Sequence, residues 1–173
     1  MKKILGPALF AVLILCGSTG YAQQVKLGYV NSSLLISVMP ERDSAQTKYQ
    51  AFALELQDQL EGLETEMGTK LQKYQNEVNT YGEAIRAQKE KELNELSNRV
   101  NEFRQAAQQD LDEMEQTLMR PVIEKANEAI QKVAKDNGFT AIFDLAAGAL
   151  LYYDTATMTD ILPLVKTALN ITK

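Results

Sequence analysis

Residues 52–85 read FALELQDQLEGLETEMGTKLQKYQNEVNTYGEAI, and the spacing of the apolar side chains in this stretch decides the fold. Phe52, Leu56, Leu60 and Leu63 are separated by 4, 4 and 3 residues. Leu63, Met67, Leu71 and Tyr74 repeat that spacing, and Tyr74, Val78, Tyr81 and Ile85 follow with a third, similar unit. The period is 11 residues in three helical turns. At about 3.67 residues per turn, such a stripe runs almost straight or winds right-handed, whereas a heptad stripe would wind left.

A less regular stripe returns through Leu93, Leu96, Val100, Phe103, Ala107, Leu111, Met114, Leu118 and Val122. The flanking composition of Glu, Gln, Lys, Leu and Ala favours helix throughout. Between the stripes the reversal is expected at residues 80–86, around Gly82. Two antiparallel helices of roughly 40 residues would then form an arm about 60 Å long. One uninterrupted helix is the alternative; the hairpin is preferred because it brings the strands at the two ends of the chain together.

Pro40 suits the first turn of the arm, where its missing N–H has no helical partner anyway. Asp136-Asn137-Gly138 is a stop signal at the far end. The arm therefore occupies residues 40–136, and residues 23–39 with 137–173 make a body at its base. Gly62 and Pro121 are expected at compatible heights near the base, where they would let the arm flex.

In the body, Val25 to Val30 alternates as a strand, with Val25, Leu27 and Tyr29 on one side. Asn31-Ser32-Ser33 caps a short helical turn. Phe139 to Leu145 and Ala149 to Asp154 read as two further strands joined through Ala146-Ala147-Gly148, and a last helix is expected from Thr159-Asp160. The class is α+β, mostly α. Val25, Leu27, Tyr29, Ile142, Phe143, Leu150, Leu151 and Tyr152 are the candidate core and oligomerisation residues, because a body of about 50 residues with apolar strands on both faces buries too little surface alone.

Ahead of the body, Lys2 and Lys3, an apolar run from Ile4 to Cys16 and a small-residue end at Gly20-Tyr21-Ala22 have the layout of a secretory signal peptide, residues 1–22, cleaved after Ala22. The bulky Leu15 argues against lipid attachment at Cys16. Cleavage leaves no cysteine, and the chain has no histidine. Disulfides, thiol nucleophiles, histidine bases and the ligands zinc prefers are thereby excluded, and no catalytic, cofactor or metal site is expected. Asp144, Tyr152 and Asp160, the remaining candidates for catalysis, are explained by capping and packing. Loss of Lys2 and Lys3 changes 18 basic against 23 acidic residues to 16 against 23, a net charge near −7. With no basic cluster, nucleic acid is not a partner.

The segment from Arg120 to Phe139 (RPVIEKANEAIQKVAKDNGF), followed by Ile142-Phe143-Asp144, Tyr152 and Asp160-Ile161, resembles the C-terminal part of the Skp/OmpH family of periplasmic chaperones, and Gly28-Tyr29-Val30-Asn31-Ser32 matches that family's first strand and turn. The resemblance covers the mature chain from Val25 onward. It implies a jellyfish-like homotrimer in the periplasm, with three hairpin arms around a cavity that holds unfolded outer-membrane proteins without nucleotide. The best-known members are strongly basic whereas this chain is acidic, which argues against carrying over lipopolysaccharide or membrane-surface binding. The family's Asp-Ile-Thr before the last helix also reads Asp160-Ile161-Leu162 here.

For a holdase, narrow apolar stripes flanked by charge offer many weak contacts whose sum is useful. Most stripe residues are expected in the seam between the helices, leaving Tyr49, Tyr74, Tyr81 and Ile85 as candidate client contacts. Glu55, Asp58, Glu61, Glu64 and Glu66, with Glu102, Asp110, Asp112 and Glu113 opposite, are expected to form an acidic belt around mid-arm. A structural spacer or adaptor in the envelope is the alternative function.

Overall fold

The structure, a computed structural model, describes residues 25–171. The expected signal peptide, with Cys16, lies outside the described residues. The chain forms β1 (Leu27–Val30), α1 (Ser32–Ser37), α2 (Pro40–Glu77), α3 (Glu83–Asp136), β2 (Ala141–Asp144), β3 (Met158–Asp160) and α4 (Leu162–Ala168).

Helices α2 and α3 run antiparallel as the arm. α2 starts at Pro40, and Met39 ahead of it is extended and almost fully buried. Its 38 residues span about 57 Å. The reversal is a short 3₁₀ turn at Val78–Thr80 followed by Tyr81 and Gly82, so residues 83–86 already belong to α3. Gly82 sits at φ −66°, a conformation open to any residue. At the far end Gly138 does need its glycine: with φ +68° it ends the helix, and the Phe139 N–H returns to the Ala134 carbonyl at 2.9 Å.

Three cross-arm pairs mark the register. Lys125 meets Glu41 at the root, Arg104 meets Glu64 midway, and the Tyr74 hydroxyl donates to Glu90 at 2.5 Å near the tip. Facing residues thus have numbers adding to between 164 and 168. Pro121 consequently lies against Ala45, and the two line one cavity. Gly62 is 17 residues further out, about 25 Å along the helix. The expected alignment of Gly62 with Pro121 does not occur.

The body is a three-stranded parallel sheet in the order β2-β1-β3. Leu27 aligns with Ala141 and Met158, and Tyr29 with Phe143 and Asp160. The whole arm is thus the crossover between β1 and β2. One face of the sheet covers a core of Val30, Leu35, Met39, Val122, Ala126, Val133, Ile161 and Val165. Gly28 is buried in the middle strand because a Cβ there would lie 2.8 Å from Ile142, 3.0 Å from Phe139 and 3.1 Å from Ile161. It lets the sheet and its covering side chains approach closely.

The third strand is displaced from its expected place. Residues 149–154 make no strand; Leu145–Ala147 is a 3₁₀ turn, and Asp154 holds a second turn through the Ala156 N–H at 2.9 Å. Pairing begins only at Met158, because a strand parallel to β1 on its other edge must first be carried back across the sheet. Thr159-Asp160, expected to open the last helix, are in this strand, and Asp160 caps α4 through the Leu162 N–H at 2.9 Å.

Candidate functional site

The arm and the outer face of the sheet carry the surface that calls for a function. Along the arm the two stripes meet as expected, but incompletely. Leu96 and Val100 are nearly inaccessible, at 3 % and 2 %. Phe52, Leu56, Leu60, Leu63, Met67, Phe103, Leu111 and Met114 are only half-buried, since two helices cannot enclose a seam. Leu71 and Ile85 lie outside it, exposed by 41 % and 53 %.

At the tip, Tyr74 and Tyr81 stand side by side, ring centroids 6.3 Å apart. Each hydroxyl is tied to a glutamate: Tyr74 donates across the hairpin to Glu90, and Tyr81 donates to Glu77 at 2.6 Å. Those hydrogen bonds are the main reason both phenols are held above their ordinary pKa, with burial and the carboxylate charges adding to it. The rings form one wall of a cavity of about 400 Å³ whose apolar floor is Leu93. Arg86 donates to the Val78 carbonyl at 3.3 Å and so ties the turn to α3.

Tyr49 is not part of this cluster. It lies 25 residues before Tyr74, about 37 Å along the helix, in a groove at the arm root with Met119 and Leu118. The four candidate client contacts are therefore a tip pair, an exposed neighbour in Ile85, and a separate root residue.

The mid-arm is acidic but not without cations. Arg104 pairs with Glu64. Glu66 is held below the usual carboxylate range first by its hydrogen bond from Lys70, with Arg99 contributing at longer range. Both helices supply acids, but α3 also sets Arg99 and Arg104 among Glu102, Asp110, Asp112 and Glu113, cations that the expected acidic belt leaves out.

On the outer face of the sheet Tyr29 packs against Tyr153, centroids 4.8 Å apart, with Phe143 beside it. Burial chiefly, with the charge of Asp160 and the neighbouring Tyr153, raises the Tyr29 pKa. Ile142 reaches the opposite, core-facing side. Leu150 is partly covered, while Val25, Leu151 and Tyr152 are exposed by 63 %, 98 % and 82 %. Tyr152 is thus not explained by packing within one chain. Asp144 and Asp160, in contrast, are accounted for by capping.

A long two-helix arm folded back onto a small parallel sheet matches a known pattern in sequence as well as in shape. Residues 26–169 match the family model described as outer membrane protein (OmpH-like). The chain belongs to the OmpH-like family. A crystal structure of an OmpH-like protein from Caulobacter crescentus, whose suggested role is that of an outer membrane chaperone, superposes with a TM-score of 0.72. The match covers 98 % of this chain and 89 % of that one at 17 % identity, so what it establishes for this OmpH-like protein is the fold. No curated protein sequence matches the chain.

Proposed function

We propose that this OmpH-like protein is a periplasmic holdase that needs no nucleotide, binding unfolded outer-membrane proteins between its arms and keeping them from aggregating. The observation that carries the reading is the half-buried seam. Apolar atoms from Phe52 to Met67, and from Phe103 to Met114, stay accessible along an arm about 57 Å long. Each contact is small, so a client gains from many and can leave any one of them.

The same proposal includes assembly into a homotrimer through the outer face of the sheet. Phe143 on that face, and Leu151 and Tyr152 in the segment that carries Tyr153 onto it, are left exposed by 38 %, 98 % and 82 %, large side chains that assembly would take out of water. Three arms around one axis then enclose the space in which a client is held. Export to the periplasm, with the signal peptide removed after Ala22, belongs to this reading.

The test is to dilute a urea-unfolded outer-membrane β-barrel protein into the purified mature protein and to measure mass and light scattering together. The expected result is a soluble complex of one client with three subunits. Aggregation at the same rate with and without the protein would sink the reading.

A further inference from the structure

We infer that the notch at the arm tip is a binding site for a peptide segment carrying an aromatic side chain beside a carboxylate. The notch has the size of a small-ligand site, about 400 Å³. Its apolar surface comes from Leu93 and the two tyrosine rings. Because both hydroxyls are tied to glutamates, the rings are fixed before anything binds, and an aromatic side chain can pack on them without first paying to order them.

Charge selects the rest of the ligand. Three lysines, Lys70, Lys73 and Lys89, line the notch. Lys70 is paired with Glu66 at 2.6 Å and Lys89 with Glu92 at 2.8 Å. Lys73 has no ion-pair partner among the described residues. Of the two carboxylates on the lining, Glu92 is paired with Lys89, while Glu77 accepts the Tyr81 hydroxyl and keeps its charge. Three lysines against two glutamates leave the lining with one positive charge in excess beside the aromatic wall, and a carboxylate adjoining an aromatic side chain satisfies both.

This gives the holdase reading a sequence preference at the tip and rests on that reading only for its biological use. The probe is an unstructured glycine–serine peptide with one phenylalanine followed by one aspartate, titrated into the mature full-chain protein while amide resonances at the tip are followed by NMR. Saturable shifts are expected at Tyr74, Tyr81 and Leu93, with binding about tenfold weaker for Lys73→Glu. Replacing the peptide's aspartate by asparagine should weaken binding to the wild type but strengthen binding to Lys73→Glu, where the aspartate meets a like charge, the reversal of sign expected of a direct pair. Lys73 is exposed, so the variant should keep the wild-type circular dichroism, and Lys48→Glu at the arm root should bind as the wild type does.

Shifts confined to other parts of the arm, or equal affinity for the aspartate and asparagine peptides, would overturn the inference. So would binding of phosphatidylglycerol vesicles that depends on Lys73 when the peptide does not bind, which would assign the notch to a lipid surface. Scattering assays with an unfolded β-barrel run in parallel separate the two ideas. Peptide binding without aggregation suppression leaves the notch and removes the holdase; suppression without peptide binding does the reverse.

Discussion

Asp144 and Ser32, 112 residues apart in the chain, are joined by two hydrogen bonds: the carboxylate accepts the Ser32 N–H at 3.0 Å and the Ser32 hydroxyl at 2.6 Å. The same carboxylate accepts the Ala146 N–H at 3.0 Å. One side chain thus ties the end of β2 to the start of α1 and to the turn that follows. Burial alone would raise the Asp144 pKa, but the hydrogen bonds from Ser32 and Ala146 outweigh it and the pKa is lowered.

Asp144→Ala should therefore cost about 1–3 kcal/mol, by leaving two N–H groups and a hydroxyl without their acceptor. A lowered folded-state pKa means that the stabilisation is present above the unfolded-state pKa and is lost as pH falls through the folded-state value. Urea unfolding at fixed protomer concentration should show the gap between wild type and variant at pH 7 and its closure in strong acid. A gap that does not change with pH would rule the linkage out.

Gly28 has little room for a side chain. Gly28→Ala should be mildly destabilising, since the nearest atom is the mobile end of Ile142, and Gly28→Val should cost about 1–3 kcal/mol by overpacking. Thermal unfolding checks the order of the three proteins.

The seam predicts a sharp contrast within the arm. Leu96→Ala should cost about 2–4 kcal/mol, because the side chain is nearly inaccessible, while Ile85→Ala should stay within about 0.5 kcal/mol. Hydrogen exchange should show faster opening of α2 and α3 in the first variant and an unchanged arm in the second.

The Arg104–Glu64 pair, although it crosses the hairpin, joins half-exposed side chains. A double-mutant cycle with glutamine at both positions should give a coupling of less than about 1 kcal/mol, falling further with added salt. A larger value would mean that the pair, and not the apolar seam, sets the register of the arm.

For the proposed trimer, Leu151→Asp together with Tyr152→Asp should lower the mass from three chains to one and lower the urea midpoint with it, since folding and assembly are then linked. Light scattering over a concentration series provides the check. An unchanged mass would remove the outer face as the interface.

Much of this molecule was legible in its sequence because the deciding interactions are local. Pro40 at the helix start, the Asn31 cap and the Gly138 stop all act over a few residues, and each stands where the pattern puts it, as does the 11-residue stripe from Phe52 to Met67; beyond it Leu71 and Ile85 are exposed and the third unit falls in the turn. The third strand did not follow from pattern, because Leu150 to Tyr153 is apolar on both sides and Met158–Asp160 is too short to show a period of its own. Its place is set by pairing with Leu27 to Tyr29, about 130 residues earlier. Likewise the tip notch, the pairing of Arg104 with Glu64, and the tie between Asp144 and Ser32 depend on which residues the turn at Val78–Gly82 brings opposite one another. That there is an arm, with a start at Pro40 and a stop at Gly138, follows from local signals alone. What faces what across it follows from packing in three dimensions, because a shift of one helical turn would preserve every local signal and change every partner.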